Sequence, residues 1–217
     1  MLKVQDLTVR IGEITILRSL SLEVPQGATV GLVGRNGAGK TTTLKSIMGL
    51  VPVAAGGIFL DSQDLLRLPP FSRGRLGIGY MPEDRRLIGP LSVQDNILLP
   101  AWAQGQQEGQ QRLEVIYSLL PEVKALAQRR AAQLSGGQQK LVALARSLLS
   151  ARKLLLLDEP LEGVSPALSS RLAEVIRNFR EREPALSILV AESDVNRIRL
   201  FTEEIYTIER GEVSRGA

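Results

Sequence analysis

Residues Gly34-Arg35-Asn36-Gly37-Ala38-Gly39-Lys40-Thr41 fit the pattern G-x-x-x-x-G-K-[ST], set between a short apolar run, Thr29–Val33, and a segment of helical character, Thr41–Met48. Glycines at these places let backbone N–H groups turn inward around phosphate oxygens, and the helix start adds about half a positive charge. Lys40 would bridge the outer phosphates, and the Thr41 hydroxyl would reach Mg2+. Gly34, Asn36, Gly37, Ala38, Gly39, Lys40, Thr41 and Thr42 are therefore the candidate contacts to a nucleoside triphosphate. A second group follows the apolar run Leu154–Leu157, which ends in Asp158-Glu159. At the C-terminal end of a buried parallel strand both carboxylates face the crevice where phosphates sit. Asp158 is the candidate to hold Mg2+ through water, and Glu159 the candidate to polarise the attacking water.

The third group is Leu134-Ser135-Gly136-Gly137-Gln138, where a serine and two glycines at a helix start make a second anion cradle. One triphosphate does not need two cradles from one chain. The simplest arrangement is two chains head to tail, each lending Ser135, Gly136, Gly137 and Gln138 to the γ-phosphate on the other's Lys40 loop.

The elements that must position these groups follow from the apolar pattern. Leu2–Ile11 and the alternation of Leu20, Leu22 and Val24 predict an antiparallel, half-buried strand region closed by a turn at Pro25-Gln26-Gly27. Thr29–Val33, Ile78–Met81, Leu154–Leu157 and Ile188–Val190 lack polar alternation, as parallel strands covered on both faces do. Between Leu91 and Ser150 the period becomes helical: Val93–Trp102, Arg112–Leu120, and a third helix after Ser135 with Leu141, Leu144, Ala145 and Leu148 on one face. Gln104–Gln111 reads as a flexible loop between two of these helices. Ser165-Pro166 reads as an N-cap and first helical residue, with Leu168, Leu172, Val175, Ile176 and Phe179 as the apolar stripe. Glu204–Ile208 and Glu212-Val213 flank Arg210-Gly211 as a closing hairpin. The expected class is α/β: a phosphate-loop core with a mostly parallel sheet, an N-terminal antiparallel β subdomain and an inserted α-helical subdomain. The expected organisation is a single domain over residues 1–217, with a core of 1–90 and 151–217 and the insertion at about 91–150.

Composition sets the limits. The chain has 217 residues, 27 Lys+Arg against 23 Asp+Glu, 44% hydrophobic and 4% aromatic residues, an ordinary globular balance. With no Cys and no His, disulfides, Cys- or His-ligated zinc, thiol nucleophiles and histidine acid–base chemistry are excluded. Any general base is a carboxylate or a lysine. The apolar runs fall far short of the roughly 20 residues that span a bilayer, and the opening residues alternate like a strand instead of forming a cleavable signal. The expectation is a soluble, cytoplasmic chain. The net charge of +4 is small and spread out, the pattern of a solvated surface more than of a nucleic-acid footprint.

The succession Leu134-Ser135-Gly136-Gly137-Gln138, a buried strand and Asp158-Glu159 resembles the ATP-binding-cassette ATPases, and the resemblance covers nearly the whole chain. Within them it is similar to the ATPase subunits of branched-chain amino-acid, amide or urea uptake systems. The carrying residues are Tyr80-Met81-Pro82-Glu83-Asp84-Arg85-Arg86, Leu91-Ser92-Val93-Gln94-Asp95-Asn96-Ile97, and Leu157-Asp158-Glu159-Pro160-Leu161-Glu162-Gly163-Val164-Ser165-Pro166. The resemblance implies ATP and Mg2+ as cofactors, Glu83 as a further ligand of Mg2+ or its waters, and Ser193 at the switch position beside the γ-phosphate. It also implies integral-membrane transporter subunits as partners, a homodimer or a heterodimer with a second such ATPase, and a place on the inner face of the plasma membrane. Tyr80–Ile97 is the implied docking segment, with Arg85-Arg86, Leu87 and Ile88 as its candidate contacts. Three positions depart from the pattern. Ile11 replaces the aromatic that stacks on adenine, Ser193 the switch histidine, and Ser165 the aspartate of the loop after the carboxylate pair. They predict a slow site on this chain, its Ser135 cradle serving a better site on a different ATPase subunit, with a plain homodimer as the alternative.

Two other function classes compete. A soluble cassette ATPase acting on nucleic acid or the ribosome usually has two cassettes or a long coiled-coil insertion, and here there is one phosphate loop and a short helical insert. A GTPase or small-molecule kinase leaves Ser135–Gln138 without a purpose, and no N-K-x-D segment is present. A degenerate ATP-binding regulatory subunit is the further alternative that the three departures leave open.

Overall fold

The computed structural model describes all residues except 106–107, 203 and 216–217. In chain order the elements are β1 (Leu2–Ile11), β2 (Ile14–Val24), β3 (Thr29–Val33), α1 (Lys40–Ile47), β4 (Ala55–Leu60), β5 (Gln63–Asp64), α2 (Ser72–Arg75), β6 (Ile78–Met81), α3 (Val93–Gln104), α4 (Gly109–Leu119), α5 (Pro121–Lys124), α6 (Gly136–Ser150), β7 (Leu154–Asp158), α7 (Pro166–Arg182), β8 (Ser187–Glu192), α8 (Val195–Ile198), β9 (Ile205–Glu209) and β10 (Glu212–Arg215). They form two sheets. The first is antiparallel, in the order β2-β1-β4-β5. In the second, β10-β9-β3-β8-β7-β6, only the β9–β10 hairpin is antiparallel.

The run of four leucines in β7 explains the layering. Successive strand residues point to opposite faces. Leu154 and Leu156 pack with Val30, Leu32, Leu189 and the antiparallel sheet, whereas Leu155 and Leu157 pack with Ile188, Val190 and the helices α3, α4, α6 and α7. The parallel sheet therefore divides two apolar cores, and every residue of β7 and β8 is buried. That double coverage is why these strands show no polar alternation. On the helical side, Gly79 lets α6 lie against β6: a Cβ there would collide with the Ser147 carbonyl.

Two expectations differ from what is observed. The antiparallel sheet contains β4, which pairs with β1 from Leu2↔Leu60 to Thr8↔Ala55 and was not predicted. Its Gly56-Gly57 start hides it from a propensity reading. The loop expected over Gln104–Gln111 is shorter, because Gln104 ends α3, capped by left-handed Gly105, and Gly109–Gln111 open α4. Gln106 and Gln107 lie outside the described residues.

Arg112 of α4 fastens the helices to the sheet. Its guanidinium donates to the carbonyls of Leu148, Leu149 and Ala151 at the end of α6 and to Glu183 Oε1 at 2.8 Å, while lying 5.8 Å from the Phe179 ring centroid. The last carbonyls of a helix lack their i+4 donors, and although Ala151 N reaches Leu148 O at 3.3 Å, the Arg112 guanidinium completes this buried helix end. Arg112→Met should leave them unsatisfied and lower unfolding free energy by about 2–4 kcal/mol, measured by urea denaturation.

Candidate active site

The β3–α1 turn and the C-terminal ends of β7 and β8 meet at one edge of the parallel sheet. Parallel register explains it: Val33 lies opposite Glu192, and Asp158 opposite Ala191. Gly39 enters α1 at φ +116, where a Cβ would press on Leu17 of β2, so glycine is needed there for both conformation and space.

A cleft of about 340 Å³ is lined by Asn36, Gly37, Gly39, Lys40, Thr41 and Thr42 on one side and Glu83 and Glu159 on the other, with Ile16 at its wall. Gly34 and Ala38 belong to an adjoining cavity of about 520 Å³ between the loop and Thr207–Arg210. Lys40 Nζ donates to Gly34 O at 2.7 Å and Arg35 O at 3.2 Å and pairs with Glu159 Oε1 at 2.9 Å. Thr41 Oγ1 donates to Asp158 Oδ1 at 3.0 Å, and Tyr80 OH to Asp158 Oδ2 at 3.3 Å.

The charges are buried. Burial pushes the Asp158 carboxyl up to about 6, against the hydrogen bonds of Thr41 and Tyr80 and with the help of the Glu83 and Glu159 charges. For Glu159 burial acts upward as well, but hydrogen bonds from Glu162 and Lys40 and the charges of Lys40 and Lys140 outweigh it and hold the carboxyl below its ordinary value. Glu162 moves the other way, raised by its hydrogen bond to Glu159 and then by burial.

Among the described residues no cluster of three or more His, Cys, Asp or Glu could hold a metal by itself. The oxygen donors present, the Thr41 hydroxyl with the Asp158 and Glu83 carboxyls, fit Mg2+, which is usually bound by one or two carboxylates together with phosphates and water. Asp158 is 0% exposed and its two oxygens already hold hydroxyls, so it suits a role through Thr41 or water more than direct ligation.

Ser135, Gly136, Gly137 and Gln138 are not brought to this cleft. They start α6 as a capping box: Ser135 Oγ accepts from Gln138 N at 3.3 Å, and Gln138 Oε1 from Ser135 N at 2.9 Å. The N–H groups of Gly136 and Gly137 lack an intrahelical acceptor by position and face outward with their exposed or half-buried residues. Ser193 follows β8, half-buried and outside the cleft lining. Ile11 is 54% exposed at the end of β1, and Ser165 caps α7 by accepting from Leu168 N. Arg85 turns inward to Gln139 Oε1, while Leu87 packs on the helical core and Ile88 stays exposed. Sequence reasoning missed Ile16, Tyr80, Lys140 and Glu192 as neighbours of the site. Glu192 carried the same signal as Asp158, a carboxyl at the end of an apolar run; Tyr80 and Lys140 reach the site only through pairing and helix packing.

A phosphate loop after β3 of a parallel sheet, with a carboxylate pair at the end of β7 two strands away, defines the chain as a nucleoside-triphosphate-binding α/β protein. A family model described as ABC transporter matches residues 17–162, and the chain belongs to that family of transporter ATPases. It is 32% identical over 214 residues to the probable branched-chain amino acid transport ATP-binding protein LivF of Archaeoglobus fulgidus, covering 99% of this chain and 90% of the relative. It is 34% identical to the lipopolysaccharide export system ATP-binding protein LptB of Escherichia coli, covering 90% and 81% of the two chains. Among solved structures, a dimeric bacterial ABC transporter cassette superposes with a TM-score of 0.87 at 26% identity, covering 99% of this chain and 97% of that one. The same kind of cassette in a dimeric post-hydrolysis state bound to ADP and Pi gives 0.86 at 26% identity, with the same coverage.

Asp158 predicts a pH dependence. A carboxyl whose value is higher in the folded than in the unfolded chain takes up a proton on folding. Its contribution therefore favours folding below about pH 4 and is lost as pH rises to about 6, a decline of about 2–3 kcal/mol. Denaturant unfolding between pH 4 and 6.5 should show this slope in the wild type and a flatter one in Asp158→Asn.

Proposed function

We propose that this chain is the ATP-hydrolysing motor subunit of a membrane transporter for uptake of branched-chain amino acids or related small amides, working on the cytoplasmic face of the membrane through partner subunits. One observation carries the reading: Lys40 pairs with Glu159 and Thr41 bonds Asp158 side by side at the phosphate loop, whereas the Ser135 cradle lies outside that cleft, free for a nucleotide held elsewhere. No helix among the described residues is long and apolar enough to cross a membrane, so movement of solute falls to other chains. The LivF relative supports the solute class, and the name of LptB makes export of a different solute the rival reading.

In the mechanism, the loop N–H groups from Asn36 to Thr42 bind the phosphates and Lys40 takes the outer ones. A phosphate oxygen at Lys40 competes with Glu159 Oε1, which releases the carboxylate to orient and deprotonate the attacking water. Thr41, Asp158 and Glu83 would hold Mg2+, which supplies charge neutralisation of the phosphates. Ser193 donates a hydrogen bond toward the γ-phosphate but brings no positive charge. The Ser135, Gly136, Gly137 and Gln138 cradle of a second subunit, a copy or a cousin, closes over the same nucleotide. The unit that moves is a single cassette, with a core of 1–90 and 151–217 and a helical insertion at about 91–150.

The docking surface is a groove of about 380 Å³ between α1, α2, β6 and α3, lined by Leu50, Tyr80, Pro82, Arg86 and Pro100 among others. Its bordering segments carry exposed Phe71 and Trp102, 74% and 56% accessible. An apolar surface of this kind beside a nucleotide cleft suits a short helix of a membrane subunit.

Glu159→Gln should keep ATP binding and hydrolyse about 10²–10⁴-fold more slowly, read by nucleotide titration and phosphate release; equal rates would sink the motor reading. Trp102→Glu with Leu50→Glu should abolish co-purification of membrane subunits while lone-chain hydrolysis persists. If the purified homodimer matches the rate of a pair with a second ATPase subunit, the asymmetric arrangement drawn from Ile11, Ser193 and Ser165 fails.

A further inference from the structure

Glu159 sits at φ +47, in the left-handed region that is unfavourable for a non-glycine residue. The turn that follows it is fastened from two sides. Lys140 of α6, 2% exposed, donates from Nζ to Glu159 O at 2.8 Å and Glu162 O at 2.9 Å. Glu192 at the end of β8, 0% exposed, accepts with Oε1 from Leu161 N at 2.8 Å. The backbone joins in, with Glu159 N donating to Ala191 O at 2.9 Å and Gly34 N to Glu192 O at 3.2 Å. Neither Lys140 nor Glu192 lines the cleft.

Both side chains are costly to bury. Burial pushes Lys140 down and Glu192 up to about 7, and the opposite charge each presents to the other offsets only part of that. Glu192 Oε2 accepts no hydrogen bond among the described residues and lies 3.8 Å from Arg197 Nη1. For stability alone, well-packed apolar residues would serve such positions as well or better. What the two polar groups supply instead is direction: three bonds to the main chain of one four-residue turn, at whose head stands the carboxylate aimed at Lys40.

We propose that Lys140 and Glu192 are positioning residues for Glu159, holding its turn in the one backbone conformation that presents the carboxylate to the phosphate cleft. The inference rests on the reading of Glu159 as the group that orients water. Lys140 lies in the helix that begins at the Ser135 cradle, so the helix offering that cradle to a partner also sets the carboxylate of its own site.

The test compares Lys140→Met and Glu192→Leu in the full chain, with Mg2+-ATP hydrolysis, binding of a fluorescent ATP analogue and thermal unfolding as readouts. Expected is a fall in kcat on the order of 10–100-fold, as for a misplaced catalytic group, with KM and nucleotide affinity moving less than about threefold. Lys140→Arg and Glu192→Gln keep a donor and an acceptor and should recover most of kcat. In a Glu159→Gln background, Lys140→Met should cost less than about threefold more, because the group it positions is gone. Should either apolar variant not fold, Lys140→Gln, which keeps one donor, decides, with an intermediate kcat expected. Unchanged kcat in the Lys140 and Glu192 variants, or a matching loss of nucleotide affinity, overturns the positioning role while Glu159 keeps its own. Unchanged kcat in Glu159→Gln removes that reading and the positioning role with it.

Discussion

Parallel strands covered on both faces leave their polar business to one edge. In β7 and β8 the side chains of Leu154–Leu157 and 188–191 are committed to one apolar core or the other, so charge collects only where the strands stop. The carboxylates of Asp158, Glu159 and Glu192 stand at those stops, and the phosphate loop begins at the equivalent point of β3. Register aligns the stops, because a parallel pair cannot shift by one residue without moving a leucine to the wrong core. The alignment of the site is thus a by-product of packing four apolar strands.

Holding the edge in working order takes a different interaction. Glu159 and the loop lysine are both nearly inaccessible, and Lys40 meets Oε1 while Oε2 has no partner among the described residues, which makes the ion pair a poor source of net stability but a strong constraint on geometry. The strained backbone at Glu159 belongs to the same economy: strain of that kind persists where the surroundings over-determine it. Here the surroundings are a lysine from α6 and a carboxyl from β8, elements with the whole of β7 and α7 between them in the chain.

Much of this was open to a reading of the residues. The phosphate loop, the four buried strands, the capped start of α7 and the closing hairpin all follow from local pattern, since each depends on neighbours within about ten residues. The strand Ala55–Leu60 did not, because its apolar half follows two glycines and its partner is the first strand of the chain, some fifty residues away. Lys140 is a charged residue five positions after Ser135 on an otherwise apolar helix face, a signal that says only that something polar meets it. Tyr80 reaches Asp158 because β6 and β7 are neighbours, a pairing that no local pattern encodes. Arg85 reads as a surface charge suited to a partner, yet it bonds Gln139, and Arg146 donates to the carbonyls of Arg85 and Arg86, whose left-handed backbone turns the segment toward α6. The segment proposed for docking is therefore tied to α6, the helix that starts at Ser135.

In the mechanism proposed above, the carboxyl groups at the edge would also explain why a divalent cation accompanies the nucleotide. Asp158, Glu159, Glu162 and Glu192 stand near two buried lysines, with Glu83 at the rim, so carboxylates outnumber the cations. Burial is the main reason the values of Asp158 and Glu192 are raised, and the hydrogen bond to Glu159 the main reason for Glu162; the neighbouring carboxylates push all three further in the same direction. A hard dication answers the same excess at the oxygens of Thr41, Asp158 and Glu83, and the phosphates it carries answer the lysine and the loop N–H groups. Neither metal nor nucleotide alone balances the edge. A triphosphate alone adds negative charge beside five carboxyls, and a dication alone leaves Lys40 bound to Glu159.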